Sequence, residues 1–125
     1  MMQRACCAVI ASGTATLEAA YYGLPYCLVY RVAPLTYAAA KVLVKIKHIG
    51  IVNILAGEEV VKELVQGAAD PSVVSRILRD FLESPERREV LRARLAETCS
   101  KLGGPGAHEK AAGAVARWLM ERGVE

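Results

Sequence analysis

The stretch Ala11-Ser12-Gly13-Thr14-Ala15-Thr16-Leu17-Glu18 decides the fold of this chain. Residues 5–11, just before it, are predicted to be the end of a helix that runs into a short buried strand. The β-branched residues of the apolar run 7–11 are typical of a buried parallel strand. Residues 15–22 have a helical pattern, and Gly23 is placed to end that helix. Residues 26–30 then predict a second strand. The order strand, turn, helix, strand predicts a right-handed βαβ unit with parallel strands.

The remainder of the chain is predicted to be mainly helical. A short apolar segment, 49–55, is the place for a third strand. The segments with helical spacing of apolar residues are 34–47, 58–66, one that begins at Asp70-Pro71, a charged one from Ser84-Pro85 to about residue 102, and 107–122. The sequence therefore predicts a helix-rich α/β fold with two or three short parallel strands.

Length and composition exclude several classes of protein. The 125 residues fit one domain, and a hydrophobic share of 54% excludes a disordered chain. Lys and Arg total 16 and Asp and Glu total 13, so the net charge of +3 is too small to indicate nucleic-acid binding. No uninterrupted apolar run reaches the roughly 20 residues that a membrane-spanning helix needs.

The cysteines do not form a metal-binding pattern. No CxxC pair occurs, a zinc site needs four ligands at workable spacing, and only His48 and His108 are available to complete one. Most of the cysteines lie in apolar runs, where a free thiol behaves as a small hydrophobic group. The sequence predicts reduced thiols, as in a cytoplasmic protein, at Cys6, Cys7, Cys27 and Cys99.

The turn after the first strand carries the residues best suited to chemistry. Gly13 allows a tight turn and a close approach of the backbone to a ligand. Hydroxyl groups from Ser12, Thr14 and Thr16 lie beside the free N–H groups of a helix start, which favours phosphate. Glu18, one turn further, is able to bind a ribose. Ordinary helix capping explains the same residues, so both interpretations stand at this point.

Together with pieces further along, the chain resembles the C-terminal portion of the lipid-A-disaccharide synthases. The resemblance extends over nearly the whole chain, from about Met2 to the last helix. It is carried by residues 11–18, Pro25, Tyr30-Arg31, Leu35-Thr36, the run Asn53-Ile54-Leu55-Ala56-Gly57 and the run Glu63-Leu64-Val65-Gln66. One position departs from the family pattern, because Val52 stands where the family usually has proline.

The resemblance implies a glycosyltransferase with two Rossmann-like domains, the GT-B architecture. Such enzymes transfer 2,3-diacylglucosamine from its UDP donor to 2,3-diacylglucosamine 1-phosphate and release UDP. No metal or other cofactor is implied. Residues 1–125 would be a partial Rossmann-like C-terminal domain, with 1–66 as the βαβ donor-site part and 67–125 as a helical tail. The N-terminal acceptor domain with the general base would be absent, so this chain is expected to bind UDP-sugar without turnover.

The resemblance also implies which side chains contact the donor. Ser12, Gly13, Thr14 and Ala15 would surround the UDP phosphates, with the Thr16 hydroxyl beside them. Glu18 would hold the ribose, and Arg31 would place a cation near the diphosphate. Two polar residues would face the donor cleft, Asn53 and Gln66. No catalytic residue and no metal ligand is expected within this chain.

The resemblance implies partners and a cellular location as well. The partners would be the UDP-diacylglucosamine donor, a phosphorylated lipid acceptor and the cytoplasmic surface of the inner membrane. The enzyme would be cytoplasmic and peripheral to that membrane. Four basic residues predict a basic edge, namely Arg31, Lys41, Lys45 and Lys47. The first interpretation of this edge is a face exposed to solvent, and the second is a contact with an anionic membrane surface. An exposed last helix would favour a homo-oligomer.

Two other functions remain open from the sequence. Other GT-B nucleotide-sugar enzymes, such as a UDP-GlcNAc epimerase or a MurG-like transferase, share a phosphate site at a helix start and an acid one turn in. The chain could also be a non-catalytic remnant that associates with itself.

Overall fold

Three short strands form one parallel sheet in the computed structural model. Their order is β1 (Ala8–Ala11), β2 (Tyr26–Tyr30), β3 (Glu63–Val65), with β2 in the middle. Because both pairings are parallel, the carboxyl ends of all three strands lie at one edge of the sheet. The predicted α/β fold with short parallel strands is confirmed. The structure describes residues 1–33, 47–104 and 106–122.

Five α-helices and two short 3-10 helices are described along the chain. The α-helices are α1 (Ala15–Tyr21), α2 (Ile51–Ala56), α3 (Pro71–Glu83), α4 (Pro85–Ser100) and α5 (Ala107–Glu121). The 3-10 helices are Met2–Arg4 and Gln66–Ala68. None of the helices among the described residues combines the length and the apolar composition needed to cross a bilayer.

The starts of α3 and α4 use the same capping device, as the sequence predicts. The Asp70 carboxylate accepts a hydrogen bond from the Ser72 N–H at 2.8 Å, and Pro71 occupies the first helical position. Ser84 accepts from the Arg87 N–H at the start of α4. The Ser72 hydroxyl and N–H also lower the pKa of Asp70, because both stabilise the charged carboxylate.

One core joins the βαβ unit to the helices that follow it. Leu91 and Leu95 of α4 belong to the same buried cluster as Ala19 and Ala20 of α1 and Tyr26 of β2. The α4 helix therefore packs against α1. By contrast, α5 buries no residue, and its large apolar side chains are exposed, namely Val115, Trp118, Leu119 and Met120.

The structure corrects the predicted elements between β2 and α3. Residues 49–55, the expected third strand, instead contain α2, and the third strand lies within 58–66, where a helix was predicted. The apolar residues there fit a helical period, but Leu64 is buried between two half-buried neighbours, the alternation of a strand. The helix predicted over 34–47 lies outside the described residues except for its last position.

The chain before β1 also differs from the prediction. A helix running into the first strand was expected, and the structure has one 3-10 turn, Met2–Arg4, followed by irregular backbone. No residue of the turn is fully buried, and its contact with the core is made by the partly buried Met2, so little tertiary packing supports a longer helix.

The core position of Leu95 predicts a large effect of truncation. Leu95 is 0% exposed, so Leu95→Ala should lower the free energy of unfolding by about 3 kcal/mol, through lost apolar contacts and the cavity left behind. Urea unfolding of the chain measures it. The matched variant is Leu102→Ala, which removes the same atoms from a side chain that is 53% exposed and should cost under about 0.5 kcal/mol. Equal losses in the two variants would contradict the shared core.

Candidate functional site

The turn between β1 and α1 lies at the carboxyl edge of the sheet. Its first residue, Ser12, donates its N–H to the Val29 carbonyl at 3.2 Å, which fixes the turn to β2. Gly13 follows with a φ of 154°, a backbone conformation that side chains rarely adopt. A Cβ at Gly13 would meet no atom within 4 Å, so the space beside this residue is open. A ligand can therefore approach the backbone of the turn directly.

The turn leaves several hydrogen-bond donors unused. The first bond of α1 runs from the Thr16 N–H to the Gly13 carbonyl at 3.1 Å. The N–H groups of Gly13, Thr14 and Ala15 have no acceptor among the described residues. Gly13 and Thr14 are exposed, and Ser12 and Ala15 are half-buried. Three successive backbone donors with two hydroxyl groups beside them form a surface suited to an anion.

Thr16 supports the turn from inside. It is 1% exposed, and its hydroxyl donates to the Gly13 carbonyl at 2.6 Å. Its own carbonyl accepts from the Tyr26 hydroxyl at 3.1 Å, and burial raises the pKa of Tyr26, which keeps that donor protonated. The sequence predicts that the Thr16 hydroxyl faces phosphate. The geometry directs it into the protein instead, because that hydroxyl is the one that closes the turn.

Two charged candidates lie on the surface near this edge. Glu18 is exposed in the first turn of α1. Arg31 is exposed directly after β2. The positive charge of Arg31 also contributes, less than the Ser72 groups, to the lowered pKa of Asp70 at the start of α3. A cation and a helix start thus lie on the side of the sheet where β1 ends.

Gln66 joins the ends of β2 and β3. Its Oε1 accepts from the Val32 N–H at 3.2 Å, and its Nε2 donates to the Val32 carbonyl at 3.0 Å. The side chain thus pairs with the backbone as a neighbouring strand would. Gln66 has a φ of 53°, which is uncommon for a residue other than glycine. It holds the segment after β2, including Arg31, beside the end of β3.

Asn53 lies inside the protein, whereas the family resemblance implies that it faces the donor cleft. The residue is 1% exposed. Its Oδ1 accepts from the N–H groups of Val60 and Val61, both at 2.9 Å. Its Nδ2 donates to the Val61 carbonyl and to Glu63 Oε1, both at 2.7 Å. An asparagine side chain has two donors and two lone pairs, so in this arrangement none is left for a ligand.

Glu63 is the centre of the same network and was not singled out as a site residue from the sequence. Its carboxylate accepts from the N–H groups of Ile49 at 2.8 Å and Gly50 at 2.9 Å, in addition to Asn53. His48 Nδ1 lies 4.0 Å from Glu63 Oε1. The available signal was the run 63–66, in which Glu63 and Gln66 both bond across to other segments. Because residues 58–66 were predicted to be a helix, the sequence did not indicate that Glu63 bonds to another segment.

The structure thus separates the candidate residues into two groups. Ser12, Gly13, Thr14 and Ala15 lie together at the carboxyl edge of the sheet, where β2 and β3 also end. Arg31 and Gln66 follow those two strands. Thr16 and Asn53 are internal and support the backbone. Among residues 1–33, 47–104 and 106–122, no three His, Cys, Asp or Glu side chains converge as metal ligands would.

The family model and the individual relatives that match this chain all point to the same family. The model of the family described as lipid-A-disaccharide synthetase matches residues 1–116. The chain is 45% identical over 105 residues to the lipid-A-disaccharide synthase of Syntrophus aciditrophicus (strain SB), which covers 84% of this chain and 27% of that protein. It is 44% identical over 115 residues to the enzyme of the same name from Trichlorobacter lovleyi, covering 91% of this chain and 30% of that protein.

A third relative extends the match further along the chain. The lipid-A-disaccharide synthase of Geobacter sulfurreducens is 43% identical over 119 residues, which covers 94% of this chain and 31% of that protein. The chain therefore spans less than a third of the length of the curated relatives it matches.

The hydrogen bonds of Asn53 predict that its truncation destabilises the fold. Asn53→Ala leaves the buried N–H groups of Val60 and Val61 without an acceptor, so unfolding should become easier by about 3 kcal/mol. The control is Ile54→Ala on the same helix, whose side chain is 50% exposed. Urea denaturation of both variants tests this. An Asn53→Ala chain as stable as the control would show that the network contributes little.

Proposed function

This chain belongs to the lipid-A-disaccharide synthetase family, and from that membership we propose that it binds the UDP-sugar donor of such an enzyme. The reaction proposed for the whole enzyme moves 2,3-diacylglucosamine from UDP to 2,3-diacylglucosamine 1-phosphate and releases UDP. The observation that carries the proposal is the open turn from Ser12 to Ala15, with its unused donors at the carboxyl edge of a parallel sheet.

The turn is the proposed binding site of the diphosphate. The N–H groups of Gly13, Thr14 and Ala15 donate to phosphate oxygens, and the open space beside Gly13 allows the phosphate to come close to the backbone. The hydroxyls of Ser12 and Thr14 add two further donors. Thr16 keeps this shape through its bond to the Gly13 carbonyl. These groups are fixed before the donor binds, so little has to reorganise when it does.

Charge stabilisation of the departing UDP is assigned to the protein itself. As the bond to the sugar breaks, negative charge grows on the diphosphate, and fixed donors stabilise it most when they are already oriented. Arg31 supplies a cation on the same edge, held by the Gln66 contact to Val32. This proposal requires no metal ion. Asn53 contributes indirectly, by fixing the segment that precedes β3.

Glu18 is the proposed partner of the ribose. Its carboxylate is exposed in the first turn of α1, one turn beyond the proposed phosphate donors. A carboxylate accepts from two neighbouring hydroxyl groups at once, and such bonds to a charged acceptor are stronger than neutral ones. The 2′- and 3′-hydroxyls of a ribose present that pair. The uridine would then extend away from β1.

In this proposal, sugar transfer requires a general base and an acceptor pocket that residues 1–125 do not supply. The general base and the acceptor pocket are assigned to the part of the enzyme, more than two thirds of the length of the relatives, that this chain does not match. The chain on its own therefore binds donor without transferring sugar. Because donor and acceptor both carry acyl chains, the complete enzyme is proposed to work at the cytoplasmic surface of the inner membrane.

The turn is tested by filling its open space. Gly13→Ala places a methyl group where the phosphate would lie, so the Kd for UDP, measured by calorimetry, should rise about tenfold or more. The matched control is Gly57→Ala, which also has a positive φ, of 80°, and no atom within 4 Å of the added Cβ. Both variants place alanine at a positive φ, so both should lose some stability. Unchanged UDP affinity in Gly13→Ala would exclude this turn as the phosphate site.

The proposed contact between Glu18 and the ribose is tested by comparing the binding of UDP and 2′-deoxy-UDP to the wild-type chain and to Glu18→Ala. The wild-type chain should bind 2′-deoxy-UDP about tenfold more weakly than UDP, because one hydroxyl bond to Glu18 is lost. Glu18→Ala should bind both nucleotides equally weakly. Glu97→Ala, an exposed acid on α4, should behave as wild type. If Glu18→Ala still distinguished the two nucleotides, the 2′-hydroxyl would have another partner.

A further inference from the structure

Two adjacent thiols lie just before β1. The sulfur atoms of Cys6 and Cys7 are 3.9 Å apart, and the Cys6 S–H donates to the Cys7 sulfur. Both cysteines are free; Cys6 is exposed and Cys7 is half-buried. The 3-10 turn Met2–Arg4 precedes them and buries no residue, so it leaves the pair accessible. Neither thiol takes part in the proposed donor site.

The geometry disfavours the two simplest uses of such a pair. A disulfide needs sulfurs about 2.05 Å apart and Cα atoms about 4.4–6.8 Å apart, whereas adjacent residues on a trans peptide hold their Cα atoms at about 3.8 Å. A structural zinc site needs four ligands, and among the described parts of the chain no third His, Cys, Asp or Glu joins the pair. A single atom bonded to both sulfurs can bridge them without a direct S–S bond. Such an atom needs two thiols and no further ligand from the protein.

We propose that Cys6 and Cys7 form a dithiol site for trivalent arsenic compounds in which arsenic carries one organic group. Such an arsenic atom has two positions that exchange oxygen for sulfur. In the reaction with an organoarsenic oxide, two As–S bonds replace the arsenic–oxygen double bond. The two thiol protons and that oxygen leave as one water molecule. Arsenic stays trivalent and both sulfurs keep their oxidation state, so no oxidant or reductant is needed.

The other two cysteines are unsuited to this reaction. Cys27 is 0% exposed in the middle strand, and Cys99 is half-buried on α4. Burial raises the pKa of both thiols, which lowers their reactive thiolate fraction. Burial has the same effect on Cys7, but its neighbour Cys6 is exposed and available for the first bond. The second bond then forms within one molecule, at a high effective concentration.

The site is separate from the proposed donor site. Cys6 and Cys7 precede the first residue of β1, and the turn at Ser12 follows its last residue. Four strand residues span about 13 Å. Bridging of the two thiols is therefore expected to leave UDP binding unchanged, and the two proposals can fail independently.

Intact-protein mass spectrometry with phenylarsine oxide tests the proposal on the reduced chain of residues 1–125. The wild-type chain should gain the mass of one phenylarsine oxide less one water. Cys6→Ser and Cys7→Ser should each lose this adduct completely, while Cys27→Ser and Cys99→Ser retain it. A dithiol such as 2,3-dimercaptopropanol should remove the arsenic, and an equal concentration of a monothiol should not.

Three results would overturn the proposal. They are the absence of an adduct on the wild-type chain, an adduct that survives in Cys6→Ser or Cys7→Ser, and loss of the adduct in Cys99→Ser. Cys6 is exposed, so a loss of the adduct in Cys6→Ser is not explained by unfolding. Circular dichroism of each variant verifies this, and a folded Cys6→Ser chain without adduct is the supporting result.

Discussion

The side chain of Asn53 makes four hydrogen bonds in a part of the protein from which water is excluded, and the placement of β3 depends on them. A buried amide that lost these partners would have no solvent to replace them. Glu63 receives one of the bonds and itself accepts two backbone N–H groups from the residues before α2. The start of α2, the helix itself and β3 are thereby held as one unit against β2.

The same unit determines what stands at the carboxyl edge of the sheet. Gln66 follows β3 directly, in a backbone conformation that turns its side chain toward the segment after β2. Its paired bonds to Val32 fix the backbone next to Arg31. A network built in the interior thus controls the position of a charged group on the surface. This is why side chains that touch no ligand can matter as much to the site as those that do.

The sequence was sufficient to predict the βαβ unit and insufficient to predict the elements between β2 and α3. The βαβ unit and its turn were predicted because strand, glycine turn and helix start follow each other with no long-range requirement. The prolines after Asp70 and Ser84 marked two helix starts for the same reason. Residues 58–66 were misassigned because their extended form depends on the amide of Asn53, which is not a local property of that segment.

The inward orientation of Thr16 and Asn53 escaped prediction on similar grounds. A threonine in a helix start and an asparagine in an apolar run are both polar residues near a predicted ligand. Only the positions of Gly13 and Val61 reveal that their polar atoms are already bonded. The family resemblance named these residues as donor contacts, and the structure shows that polar atoms of both are bonded within the protein.

The packing of α4 on α1 has a consequence for how the chain is made. Arg92 of α4 donates to the Gly23 carbonyl, and Leu95 buries Ala19 and Ala20 from a part of the chain synthesised much later. Closing so long a loop is slow, and its contacts are absent while the second half is still within the ribosome. During synthesis, the βαβ unit therefore emerges with the apolar side of α1 exposed. Until α4 follows, that apolar surface is exposed and favours aggregation.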